Sequence, residues 1–495
     1  MKFIALQEPL RPIVPTVLGN VDYLRFQDEL TQIDTLLALS GIESEFVEKS
    51  LTQYVAHGVA NGAVAQAGDL TRHETHAITV LRSMILIRLL GESFRGMSRR
   101  LAECPLFRWF CRIETIGPVS VPGKSALQEY AQWIKESDLR EIVGTLLRAA
   151  GDGQSALQLA NNVELERVWI DSTAIECNIH FPVDWLLMRD AVRTLMKATK
   201  LIRKHGLKVR MEEEPLDFLS AINGLSIQMA QNRRKQDAKR QRKQTLRLMK
   251  RLVKVVQGHA ARHRDLLDKE WEKTDWTRKQ AEQVLRRIDN ILEQLPAAQK
   301  QAHERIIGER QVKSSEKILS LYEHEVRVIV RGKAGAEVEF GNTLLLAEQE
   351  NGLLLDWRLY SESAPADSRL LPESVQRIEA VLKVKLKAAV TDRGFDSAKN
   401  SALLEEKEIF NAVCPKSPLE LKAHLQDRNF VLLQKRRAST EGRIGIFKNV
   451  FVGTPLRAKG FARREIAIAW NVLVHNLWVL ARLPLARQLP QALAA

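Results

Sequence analysis

Hydrophobic and polar positions along the chain follow two rhythms, and the places where one replaces the other mark its organisation. From the N-terminus to about residue 160, apolar residues recur every three or four positions, most clearly over Phe26 to Leu39 and His76 to Leu90, which predicts helices. At Glu166 the rhythm changes. The run ERVWIDSTAI sets Val168 and Ile170 against polar neighbours, a strand pattern that ends on an aspartate. Helical spacing with few glycines returns from about Val183 to Leu321. Strands resume at Val326 (VRVIV), followed by Val338 to Phe340, Thr343 to Ala347 and Gly352 to Tyr360, with Asn351-Gly352 as a hairpin turn between the last two. A helix over Pro372 to Val384 precedes a wholly apolar strand, Ala388 to Val390, which runs into Thr391-Asp392-Arg393-Gly394. A helix (Ser397 to Lys407), a short strand (Ile409 to Cys414) and further helices complete the chain.

Setting the helical stretch aside leaves strand, hairpin strands, helix, strand, helix, strand, helix. That order predicts an α/β fold, a ribonuclease-H-like mixed sheet with a long helical insertion, preceded by an all-α N-terminal domain. The expected boundaries are a helical domain over 1–160, a sheet domain formed by 161–182 and 322–495, and a basic helical insertion over 183–321. Gly151-Asp152-Gly153 reads as the linker at the first boundary.

Charge changes the picture most. The chain has 495 residues, and its 75 Lys and Arg against 60 Asp and Glu leave a net charge of +15, a surplus that points to a polyanionic partner. A membrane is the weaker choice. The N-terminus (MKFIALQEPLRPIVP) lacks the apolar run of a signal peptide, and Ile466 to Leu480, the most apolar long stretch, is short and carries Asn471, His475 and Asn476. Cys104, Cys111, Cys177 and Cys414 show neither metal-site nor disulfide spacing, which fits a reducing cytoplasm. Much of the surplus is concentrated. Arg233 to Lys254 holds eleven Lys or Arg and one acid, Asp237, too lopsided for internal pairing. Arg240, Arg247, Lys250, Arg251 and Lys254 are placed to meet nucleic-acid phosphates, with Leu246, Leu248, Leu252 and Val255 as the packing face. The alternative is a solvated face paired to acids such as Glu270, Glu272 or Glu282. A second basic segment, Phe94 to Phe110, reads either as part of a helix-turn-helix or as one solvated face of a helical bundle.

In such a sheet the first and fourth strands are neighbours, so Asp171 and Asp392 would meet although 221 positions separate them. Glu441, on a later helix, is placed to join them. Clustered carboxylates suit phosphoryl transfer, because divalent cations stabilise the attacking and leaving oxygens and hard oxygen donors hold those cations. Without metal, three such acids would repel one another, so Mg²⁺ or Mn²⁺ is implied.

At these residues the chain resembles a known family. DSTAIECNIHFPVDWLL, TDRGFDSAKN and RRASTEGRIGIFKNVF are similar to the signature blocks of DDE transposases of bacterial insertion sequences, in an ISNCY-like group. The resemblance covers about 165–495 well and the N-terminal part loosely. In a related branch the third acid lies in a Tyr-x2-Arg-x3-Glu-x6-Lys pattern; Arg437, Glu441 and Lys448 keep those offsets here, and Gln434 stands in the tyrosine place. The resemblance implies Asp171, Asp392 and Glu441 as metal-binding catalytic residues, and Arg437 and Lys448 as phosphate contacts beside the scissile bond. It also implies double-stranded DNA partners (terminal inverted repeats and target), an N-terminal region that binds the DNA ends, a homodimer or higher assembly on DNA, and a bacterial cytoplasmic, nucleoid-associated address. Asn178, His180 and Trp185 either touch the transposon end, with Trp185 stacking on an unpaired base, or serve core packing. Rival readings are an inactive DNA-binding relic, a ribonuclease-H-like nuclease and a basic coiled-coil RNA-binding protein.

Overall fold

The computed structural model describes residue 14 and residues 16–60, 67–113, 117–232, 237–333 and 336–486. Nearly all of the N-terminal stretch weighed as a targeting signal lies outside these residues, as does 233–236 at the head of the basic run.

The first helices are α1 (Val21–Ser40), α2 (Ile42–Ala60), α3 (Ala67–Leu89), α4 (Phe94–Glu103), α5 (Pro105–Phe110), α6 (Lys124–Tyr130), α7 (Glu136–Gly151) and the short α8 (Gly153–Ala156). Local chemistry sets several of their ends. The Asn20 side chain accepts from Tyr23 N at the start of α1, and Gly41 at φ +76° ends that helix in the left-handed conformation that favours glycine. Pro105 breaks the basic segment into α4 and α5. Leu106, Phe107, Trp109 and Phe110 are all buried, and Arg108 donates to the carbonyls of Leu101 and Ala102. The second helix therefore packs most of its surface on protein, while Arg95, Arg99 and Arg100 of α4 remain exposed. The expected linker also differs. Only Asp152 separates α7 from α8, and a Cβ on Gly153 would lie 2.5–2.7 Å from atoms of Asn162. Gly153 supports a tightly packed corner rather than a spacer.

Strand β1 (Arg167–Glu176) leads into four long helices, α9 (Asp184–Lys204), α10 (Pro215–Gln231), α11 (Ala238–Glu270) and α12 (Arg278–Ala302), before the sheet resumes. They share their own apolar core, built on residues such as Met188, Leu195, Ile222, Met249, Val256 and Ile288. The sheet continues with β2 (Arg327–Lys333), β3 (Ala336–Glu348), β4 (Leu354–Leu359), α13 (Leu370–Leu382), β5 (Ala388–Thr391), α14 (Ala398–Glu406) and β6 (Phe410–Val413). Three helices follow: α15 (Pro418–His424), α16 (Arg428–Ile446) and α17 (Phe461–Leu480).

The six strands form one open mixed sheet in the order β2-β3-β1-β5-β6, with β4 pairing the other half of β3. β3 is antiparallel to β1, β2 and β4, whereas β5 is parallel to both β1 and β6. The two segments expected as separate strands, Val338 to Phe340 and Thr343 to Ala347, are halves of β3. A Cβ on Gly341 would sit 1.8 Å from the Ile175 carbonyl, so glycine permits the close approach that keeps the strand continuous. Beside it, the buried Asn342 amide donates to the carbonyls of Glu325 and Tyr360.

One face of the sheet packs on the N-terminal helices and α17, in an apolar cluster that runs from Leu30 and Phe46 through Val168, Ile170 and Leu345 to Trp470. Asp356 on β4 is buried there, bound by Arg140 of α7 (2.8 Å) and by Arg377 (2.7 Å) and Ser374 of α13. A carboxylate this deep needs such partners, so these contacts fasten the helices to the sheet. Asn476 on α17 bonds both the N–H and the carbonyl of Leu354. Asn471, His475 and Asn476 of this apolar helix thus face protein. Among the described residues, no helix is long and apolar enough to cross a membrane.

Candidate active site

Alternation along β1 gives the sheet two different faces. Val168 and Ile170 enter the large core, whereas Trp169, Asp171 and Thr173 point to the opposite side. There Trp169 is buried with Val390, Ala412 and Phe430 beneath α16. The parallel register pairs Trp169 with Val390, and continuing it by two residues sets Asp171 beside Asp392. The sequence expectation that these strands are adjacent and parallel is met.

Both aspartates are held by local bonds. Asp171 Oδ1 accepts from Ser172 N at 2.7 Å, and Asp392 Oδ1 from Gly394 N at 2.8 Å. Burial pushes the Asp171 carboxyl up to about 6; the Asp392 and Asp367 charges push the same way, and the Ser172 N–H and Arg437 oppose them. Asp367 was not singled out from the sequence. It lies in the turn before α13, and its Oδ1 accepts from Ser172 Oγ at 3.0 Å. A Cβ at Gly394 would lie 2.8 Å from Asp367 Oδ2 and 3.1 Å from Asp392 Oδ1, so those oxygens are at most 5.9 Å apart, the two distances laid end to end. Glycine keeps the space between the two carboxylates open.

Side chains from β1 and from the helix itself fix α16 over this edge. Trp169 Nε1 donates to the Leu433 carbonyl (3.1 Å), and Gln434 Nε2 donates to the carbonyls of Thr391 (3.0 Å) and Ala412 (2.6 Å). The residue in the tyrosine place thus clamps the helix to the ends of β5 and β6. Arg436 lies over the Trp169 ring and pairs with buried Glu348 at 2.8 Å, which also accepts from Thr440 Oγ1. Arg437 comes next, within electrostatic reach of Asp171. Glu441 is one turn further along, exposed to solvent, and half-buried Lys448 lies in the π-helical turn that ends α16.

Among the described residues, no three His, Cys, Asp or Glu side chains are gathered as a metal-binding group. Asp171 feels the charges of Asp392 and Asp367, and Glu441 is not among the groups that act on it. Carboxylate oxygens are the hard donors that Mg²⁺ or Mn²⁺ would need, and Gly394 places no side chain between Asp367 and Asp392.

The remaining candidates are dispersed. Asn178 is exposed in the bend after β1. His180 holds Asp190 of α9 at 2.7 Å, and Trp185 is buried in the insertion core with the Arg242 guanidinium 5.4 Å from its ring centroid. Arg240, Arg247 and Arg251 are exposed on α11, with no carboxylate within 4 Å among the described residues. Lys250 is half-buried, 3.4 Å from His303. The packing face of α11 differs from expectation: Leu246, Met249, Val253 and Val256 form the seam, while Leu248 (43%) and Val255 (42%) are exposed along the basic side. The acids named as possible partners are also not the ones used. Glu270 and Glu282 pair with Lys273 and Arg278, and Glu309 takes Lys239 and Lys243.

No family model, curated protein or solved structure matches this chain. The functional reading therefore rests on the residues and their geometry.

Proposed function

We propose that the protein is a DDE-type DNA transposase that cleaves DNA at the ends of an insertion sequence and joins the freed ends to target DNA. The observation that carries this reading is the placement of Asp171 beside Asp392 on adjacent parallel strands, with Arg437 and Glu441 on the helix that covers them. The strand order β4-β3-β1-β5-β6, three antiparallel strands and then two parallel to the first, supports a ribonuclease-H-like sheet, with β2 as an addition.

Divalent cations would supply stabilisation of the attacking and leaving oxygens of the phosphodiester. Asp171 and Asp392 would hold them, with Asp367 alongside. Without that positive charge these acids repel, which is a physical reason for Glu441 to remain turned to solvent. Glu441 would complete the shell from the same helix, which Gln434, Arg436 and Trp169 hold over the sheet edge. Arg437 and Lys448 would bind phosphates flanking the scissile bond. End cleavage would leave 3′-hydroxyls that attack target DNA directly, so no protein nucleophile is required.

The test uses oligonucleotides copied from the DNA flanking the coding sequence, incubated with the full-length protein and Mg²⁺. Strand-transfer products are expected with the wild type and absent with Asp392→Ala. Cleavage without joining would indicate a nuclease, and full joining by Asp392→Ala would overturn the proposal.

A further inference from the structure

At the base of the helical insertion, a cleft of about 710 Å³ opens between the start of α11 and the segment after α12. Its walls carry Arg242, Arg305, Arg310, Lys313 and Lys317, against two acids, Asp184 and Glu309. Both acids are already engaged. Asp184, buried at the head of α9, is gripped by Arg305 through both oxygens at 2.9 Å and accepts from Gln301 at 2.9 Å. Glu309 lies between Lys239 at 3.2 Å and Lys243 at 2.7 Å, two further cations on the first turns of α11. Arg310 reaches Glu304 at 3.2 Å from an exposed position, and Lys313 and Lys317 have no carboxylate within 4 Å among the described residues. The cleft therefore keeps a surplus of positive charge that the protein does not neutralise, and its concave wall focuses that charge.

We propose that this cleft binds consecutive phosphates of a nucleic-acid strand, continuing the track that begins on α11. Glu309 joins the two surfaces, because the lysines it holds lie next to Arg240, the first of the outward arginines. From Arg240 to Lys254 the helix rises about 21 Å, at about 1.5 Å per residue, so helix face and cleft together form one elongated cationic surface. The inference rests on the DNA reading above and adds to it a second location, outside the basic run and apart from the carboxylates. A small polyphosphate has the same chemistry, and the experiment separates the two.

Binding of the full-length protein to a fluorescein-labelled random duplex is followed by anisotropy between 50 and 200 mM KCl, in EDTA. Arg310→Gln/Lys313→Gln/Lys317→Gln is compared with wild type and with the charge-preserving Arg310→Lys/Lys313→Arg/Lys317→Arg. Each lost phosphate contact flattens the slope of log affinity on log salt by about 0.9, so the Gln variant should lose about two to three from the slope and roughly tenfold to a hundredfold in affinity at 100 mM. The charge-preserving variant should bind like wild type, which separates loss of charge from misfolding. An unchanged slope in the Gln variant while wild type binds DNA would overturn the inference and leave the transposase reading standing. Failure of wild type to bind any duplex would sink both. Calorimetric binding of tripolyphosphate, lost in the Gln variant while the duplex slope is unchanged, would assign the cleft to a small polyanion and overturn the nucleic-acid proposal.

Discussion

Replacing Asp171 with Asn should make the metal-free protein more stable while abolishing its chemistry. The carboxyl is pushed from 3.8 to about 6, first by burial and then by the Asp392 and Asp367 charges. In the unfolded chain none of these pressures acts. The folded state therefore binds the Asp171 proton more tightly than the unfolded state, and wild-type stability falls as pH rises from about 4 to about 6. A change of that size corresponds to a ceiling of about 3 kcal/mol, at about 1.36 kcal/mol per pH unit. Because Asp171 keeps some contact with water, an effect of about 1–2 kcal/mol is expected at pH 7.5. Asparagine retains an oxygen for the 2.7 Å bond from Ser172 N, so the substitution removes charge without orphaning that donor. The assay is urea unfolding in EDTA at pH 4 and pH 7.5. The variant's advantage should be near zero at the lower pH and reach its full value at the higher one. An Asp171→Asn protein equal to or less stable than wild type at pH 7.5 would refute this account of the site's electrostatics.

Three further outcomes follow from buried groups around the same framework. Burial, helped by the Arg443 charge and opposed by the Asn476 hydrogen bond, holds the His475 imidazole down to about 4, so it folds neutral among Phe447, Phe451 and Trp478. Its contribution is complete above about pH 6.5 and is lost as pH falls towards 4; His475→Phe should remove roughly 3 kcal/mol of that acid-side decline in unfolding titrations, and an unchanged decline would contradict it. Arg436→Ala leaves Glu348 buried without its cation and should cost roughly 3–5 kcal/mol, whereas Arg436→Met/Glu348→Leu should recover most of it; equal stability of the two variants would dismiss the ion pair as the anchor of α16. Asp367→Asn should lower the pKa of Asp171 and weaken stabilisation by Mg²⁺, both readable by NMR titration, and neither should move if Asp367 is remote from the metal-binding chemistry.

What the sequence showed most clearly was local pattern. Alternation around Val168 and Ile170 marked β1, the apolar run at Ala388 to Val390 marked β5, and Asn351-Gly352 marked the β3–β4 turn, where Gly352 adopts φ +94°. The pairing of Asp171 with Asp392 was legible because strand order converts a long sequence separation into a neighbour relation. Asp367 was not, because nothing in a Ser-Ala-Pro-Ala-Asp turn indicates that Ser172 will bind it from across the site. Gly341 resembled a strand break for the same reason: the Ile175 carbonyl that requires a glycine there lies on another strand. On α11 the apolar residues were recognised but two were placed on the wrong face, since several Leu and Val positions fit more than one helical stripe. Burial of α5 likewise depends on packing against other helices, which its own six residues do not record.

The central claim is that Asp171 and Asp392 jointly bind divalent metal, and crystals of the full-length protein soaked in Mn²⁺ test it most directly. Anomalous-difference maps should place manganese between the two carboxylates, about 2.0–2.2 Å from their oxygens, with Glu441 turned inward to join them. Manganese bound elsewhere on the protein, with the Asp171–Asp392 pair left empty, would contradict the account.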